Sequence, residues 1–256
     1  MTKRHDWTEK ELLLAFGLYS QLRFGQLHKT NPEIMRLAGL IGRTPSAVAM
    51  KACNFASLDP IHQQRGVRAL GNASAADKAL WERYEADPDA LITDVAWAWD
   101  TIFTEEACDE AELGIADEEI EELDLPDGPS AYSARVQVRR LQRFFRQIVL
   151  SAYGYKCALS DIELPDLLNA SHIIPWAEAE KHRLDPRNGI ALNALYDRAF
   201  DRGFFTLDED HRVVVSGNLP DELPLFQIQG KQLTLPERFA PKESFLEYHR
   251  QYVFRP

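Results

Sequence analysis

With 256 residues, 45% of them hydrophobic and 27% charged, the chain has an ordinary globular composition and room for two modest cores. Its longest apolar run, Leu12–Tyr19, is far short of the roughly 18 residues a membrane span needs, and its first residues, MTKRHDWTEKE, carry no apolar signal segment. The net charge of −11 belongs to one segment: Thr104–Ala134 holds 12 acidic residues and no basic ones, which leaves 28 acidic against 29 basic elsewhere and keeps nucleic acid open as a partner.

The N-terminal part, residues 1–104, reads as all-helical. Thr8 stands three residues before Glu11, the spacing of a capping box, and opens a helix through WTEKELLLAFGLYSQLRFG. A second helix begins after Asn31–Pro32 and runs through EIMRLAGLI. Gly42 supplies a turn, Thr44 caps, and Pro45 takes the first position of a third helix, PSAVAMKACNFAS. Val48, Ala52 and Phe55 form its buried stripe, while Ser46, Met50 and Asn54 are expected to point away. Two short helices around a glycine-containing turn make a helix-turn-helix pattern, and DWTEKELLLAF…LAGLIGRTPSAV resembles the Myb/SANT-like domains. On that reading Ser46, Met50 and Asn54 meet base edges, with Arg43 and Lys51 at phosphates. A three-helix bundle that binds only protein is the other reading. Residues 60–103 add helices whose Trp81, Trp97 and Trp99 are expected in the core.

Residues 105–130 read as an acidic linker with one short helix around Asp117–Leu123. The C-terminal part, residues 131–256, opens on a helix through SARVQVRRLQRFFRQIVLSAYG. At 100° per residue, Val138, Leu141, Phe145, Ile148 and Ala152 form one face, and Arg135, Arg139, Arg143 and Arg146 lie within about 80° of one another opposite it. Such a single-sign ridge repels itself, and DNA phosphates would supply the counter-charge. Pairing with the acidic linker is the alternative.

Past Cys157 the pattern predicts a strand over Leu168–Ile173, a polar loop, a strand over Gly189–Leu192 and a helix over Asn193–Asp201, which makes the whole chain α+β. His172 ends the first strand, Asn188 closes the loop, and Asp197 and Asp201 lie four residues apart on the helix. Two carboxylates at that spacing share one face and repel by a few tenths of a kcal/mol. Either Arg198 and Arg202 soften a solvated face, or a cation uses both acids. A base, an orienting amide and a hard-metal site are the parts that phosphodiester hydrolysis needs.

ASHIIPW…DPRNGIALNAL and the Asp-bearing helix behind it strongly resemble the HNH endonucleases of the bacterial restriction type, and the likeness extends over RRLQRFFRQIVLSAYGYKCALS and LPERFAPKESFLEYHRQYVF. The resemblance implies a ββα-metal nuclease domain in which His172 is the general base, a role suited to a side chain titrating near neutrality. It implies that Asn188 closes the loop and holds His172 by hydrogen bonding, and that Ser171, Asp197 and Asp201 face the metal. Ser171 is a poorer ligand than the carboxylate or imidazole usual there. Carboxylates on the helix, where many members carry histidine, favour Mg²⁺ or Mn²⁺ over Zn²⁺ or Ni²⁺. Relatives often have a CxxC knuckle, but Cys157 here faces Ser160, so no structural zinc is expected.

The implied function is a metal-dependent endonuclease on double-stranded DNA, cytoplasmic, serving restriction or phage defence, with no membrane partner. Cutting both strands requires two active sites, which a homodimer would supply. A non-catalytic DNA-binding regulator on a degenerate HNH fold is the competing reading, with Ser171 its foothold. Of the other histidines, His182, with Arg183, is either a phosphate contact or a solvated loop residue, His249 is structural, and His5, His28, His62 and His211 stand alone.

Overall fold

Thr8 opens the first helix, α1 (Glu9–Gln21), through the capping box expected of it: its hydroxyl accepts from the Glu11 N–H at 3.3 Å and its own N–H donates to Glu11 Oε2 at 2.8 Å. The structure is a computed structural model that describes residues 6–64, 73–103, 129–219 and 224–256 and falls into two units, Met1–Glu110 and Ala111–Pro256. The expected helix around Asp117–Leu123 and the side chain of Arg135 lie outside the described residues.

The first unit continues with α2 (Pro32–Leu40), α3 (Pro45–Leu58), α4 (Pro60–Gln64), α5 (Ala75–Ala86) and α6 (Pro88–Phe103). Asn31 and Thr44 cap α2 and α3 ahead of a proline, so both starts are locally encoded. Gly42 makes the turn between them at φ +66°. Phe16 is the centre of the core, ringed by Tyr19, Phe55, Trp81 and Tyr84 at 5.3–6.2 Å between centroids. Gly17 admits Trp99: a Cβ there would stand 1.9 Å from the indole Nε1. Trp97, expected in the core, is instead 45% exposed.

The second unit begins with the long helix α7 (Pro129–Ala152), followed by β1 (Leu168–His172), β2 (Gly189–Asn193), α8 (Ala194–Asp201), β3 (Phe205–Leu207), β4 (Val213–Val215) and α9 (Glu243–Tyr248), which runs into a π-helical turn at His249–Val253. Among the described residues the strands form two separate antiparallel pairs, β1–β2 and β3–β4. The fold class is therefore α+β. β1 and β2 align Leu168 with Asn193 and His172 with Gly189, and α8 follows β2 directly, giving a ββα unit. Phe145, Ile148, Val149, Leu168, Ile190, Leu192, Phe200 and Phe205 are buried around it. No helix among the described residues is long and apolar enough to cross a membrane.

Candidate active site

Successive residues of a strand face opposite ways, and β1 uses both of its sides. His172 turns toward α7, where its ring stacks on Phe145 at 4.2 Å and 12° and meets the edge of Trp176 at 5.4 Å. That stack depends on Gly189, paired opposite His172: a Cβ there would lie 2.5 Å from Val149 and 2.8 Å from Phe145, so only glycine lets α7 come this close. The His172 Nε2 lies 3.0 Å from the Arg183 carbonyl. A carbonyl only accepts, so Nε2 carries the hydrogen and Nδ1 keeps the lone pair. Nδ1 has no hydrogen-bond partner among the described residues. Enclosure between two aromatic rings pushes the His172 pKa down to about 4, against the small opposing effect of the Arg183 bond. The ring is thus neutral at physiological pH and does not titrate near neutrality as its type suggests.

Asn188 is fully buried and staples the loop between β1 and β2. Its Oδ1 accepts from the Ile174 N–H at 2.8 Å, and its Nδ2 donates to the carbonyls of Ile174 and His182 at 3.2 and 3.0 Å. The bond expected from Asn188 to His172 itself is replaced by this indirect hold: Asn188 fixes the loop, and the loop presents the Arg183 carbonyl to the histidine. Asp185, also fully buried, sets the turn into Asn188 by accepting from the Arg187 N–H at 3.0 Å and pairing with its guanidinium at 2.9 Å. His182 is no solvated loop residue. Its ring packs 4.9 Å from Phe245, while Arg183 donates to the Trp176 carbonyl at 2.9 Å.

On the other side of β1, Asn169 and Ser171 point at α8. Asn169 Nδ2 donates to Asp197 Oδ2 at 2.6 Å, and Ser171 Oγ shares its one hydrogen between Asp201 Oδ1, at 3.4 Å, and Asp197. Burial raises the pKa of Asp197, opposed by the bonds from Asn169 and Ser171 and by the charges of Arg198 and Arg146. The structure thus brings Ser171, Asp197 and Asp201 together and adds Asn169. The signal for Asn169 was available in the sequence as the residue two before Ser171 on a predicted strand. The donor set fits a hard divalent cation: all the ligating atoms are oxygens, and Mg²⁺ commonly takes one or two carboxylates and completes its shell with water and substrate phosphate. Among the described residues no group of three or more His, Cys, Asp or Glu side chains is placed to hold a metal. Cys157 and Ser160 serve another purpose. Cys157 Sγ accepts from the Asn193 N–H at 3.3 Å, and Ser160 Oγ accepts from Asn193 Nδ2 at 3.2 Å, fixing the residue that ends β2 and caps α8.

The arginine ridge is partly consumed. Arg146 donates to the carbonyls of Leu168 and Pro165, which ties α7 to the start of β1 and places its charge near Asp197. Arg139 and Arg143 are half-buried on the same helix. In the first unit only Ser46 and Met50 of the expected DNA contacts are exposed. Asn54 and Lys51 are buried and bind Asp77 at 3.0 and 2.6 Å. Arg43 binds Glu11 at 2.6 and 2.9 Å and lies over the Trp7 ring at 4.2 Å. Pointing Asn54 outward would strand Asp77, 0% exposed, without its amide donor.

The ββα unit thus carries a neutral histidine on one side of a strand end and paired carboxylates on the other. Residues 157–208, which span the whole unit, match the family model of the HNH endonucleases. Comparison with curated proteins finds no match to the chain.

Proposed function

We propose that this protein is a metal-dependent endonuclease that hydrolyses phosphodiester bonds of double-stranded DNA with His172 as general base. The observation that carries the reading is the end of β1, which bears a neutral His172 with a lone pair on Nδ1 and, one residue before it and facing α8, Ser171 beside Asp197 and Asp201. Nδ1 takes a proton from water, the water oxygen forms the new bond to phosphorus, and the bond to the leaving oxygen breaks in line. Asn188 and the Arg183 carbonyl hold the ring in the tautomer this requires. A divalent cation held by Asp197, Asp201 and Ser171, Mg²⁺ or Mn²⁺ by their oxygen chemistry, supplies positive charge for the phosphate and leaving oxygens when bound. Arg139, Arg143 and Arg135 on α7 are the proposed phosphate contacts. Arg43, Lys51 and Asn54 are committed internally, which favours phosphate binding by the second unit over the first. Resemblance to restriction-type HNH enzymes supports a role in restriction or phage defence, with a homodimer supplying two sites for double-strand cuts.

The test is purified protein on supercoiled plasmid with Mg²⁺, with Mn²⁺ and with chelator added to each. Nicked or linear product that disappears with chelator is expected, and Asp197→Ala should need more metal than Asp201→Ala. DNA binding without cleavage under any metal would favour the non-catalytic regulator instead.

A further inference from the structure

Resting on the cation site just proposed, we propose that Asn169 is a positioning residue for that site: its amide sets the plane of the Asp197 carboxylate and leaves the negative charge available to a cation. Two of the chain's buried or half-buried aspartates are held in contrasting ways. Asp77 in the first unit takes a lysine ammonium at 2.6 Å together with an amide at 3.0 Å, so its charge is neutralised and the group is structural. Asp197 instead takes a neutral amide at 2.6 Å and the Ser171 hydroxyl, both from one side of β1. Arg198 and Arg146 act on Asp197 through their charge alone, and Arg146 spends its hydrogen bonds on the carbonyls of Leu168 and Pro165. The result is an oriented carboxylate whose hydrogen-bond partners are both neutral. Arg146 serves the arrangement indirectly, because the Leu168 carbonyl it grips belongs to the residue just before Asn169. The amide occupies one oxygen of Asp197, Oδ2, and a single fixed oxygen suffices to hold the carboxylate plane. Partners of this kind around metal ligands characteristically set affinity by 10- to 100-fold.

The experiment measures Mn²⁺ binding to the full chain by titration calorimetry for wild type, Asn169→Leu, Asn169→Asp and Asp197→Ala, with circular dichroism to verify folding. Asn169→Leu, branched alike and with the same number of side-chain heavy atoms but no donor, should bind Mn²⁺ about 10- to 100-fold more weakly. Asn169→Asp, which adds a charged oxygen ligand, should bind at least about threefold more tightly and gain more melting temperature from Mn²⁺ than wild type does. A merely structural asparagine would leave the Mn²⁺ affinity of folded Asn169→Leu within about twofold of wild type. If Asp197→Ala loses Mn²⁺ while both Asn169 variants bind within about twofold of wild type, the inference is overturned and the cation site stands. If Asp197→Ala binds like wild type, or wild type does not bind, the cation site is wrong and the inference falls with it. Should Asn169→Leu fail to fold, Asn169→Ala, which also lacks the donor, takes its place, and an affinity within about twofold of wild type refutes the proposal.

Discussion

Replacing His172 tests the base directly, but the structure shows that alanine also removes packing. The ring stacks on Phe145 and meets the edge of Trp176, contacts worth about 0.5–1.5 kcal/mol each, and it donates to the Arg183 carbonyl, worth about as much again. His172→Ala should therefore cost about 2–4 kcal/mol of stability in the second unit and slow cleavage roughly 10²–10⁴-fold. The expectation that a histidine at a strand end packs little does not hold here. His172→Phe separates the two effects, since it keeps the stack and loses the base. Single-turnover cleavage of supercoiled plasmid in Mn²⁺, well below both melting temperatures, should show the same rate loss in both variants, with DNA affinity unchanged. A phenylalanine variant that retains more than about a tenth of wild-type rate would remove His172 from the role. Because burial pushes its pKa down to about 4, the wild-type rate should lose its base only as pH falls toward 4, and a steep decline centred near 6.5 would contradict the site described.

Asn188→Ala strands the Ile174 N–H and two carbonyls in a buried loop and should lower stability by about 2–4 kcal/mol, read by thermal melting, with activity lost in parallel. Lys51→Ala leaves the Asp77 carboxylate buried without its cation and should cost about 3–5 kcal/mol in the first unit while the salt dependence of DNA binding stays unchanged; a lower salt slope at intact stability would restore Lys51 as a phosphate contact. Gly203→Ala forces a side chain onto φ +69° and to 2.1 Å from the Val253 carbonyl oxygen, so melting should fall by several degrees or soluble protein should be lost. His249, neutral in its stack on Phe200 and pushed down to about 4 by burial, contributes stability that is fully present above pH 6.5 and drains away as pH falls toward 4, because only the unfolded chain takes up the proton in that window. Melting temperatures from pH 7 to 4 should show the decline, and His249→Gln should flatten it.

Signals confined to a few neighbouring residues were legible in the amino-acid order. The capping box at Thr8, the Asn31–Pro32 and Thr44–Pro45 starts, and the strand–loop–strand–helix run from Leu168 to Asp201 all rest on backbone groups satisfied within about one helical turn or on a strict alternation. The same locality placed His172, Ser171, Asp197 and Asp201 within one ββα unit. What helical spacing could not decide is which polar side chain finds a partner far along the chain. Asn54 and Asn169 have the same chemistry, yet the first is buried against Asp77, 23 positions away, and the second orients Asp197, 28 positions away. Cys157, which spacing could only describe as half of a missing knuckle, anchors Asn193 across 36 positions. Arg146 looked like part of a ridge for phosphates and instead closes on carbonyls at the start of β1. Each of these outcomes follows from the cost of leaving a buried donor or acceptor unpaired. Tertiary packing alone determines which groups become buried, and so only the folded chain separates structural polar residues from those left to act on a substrate.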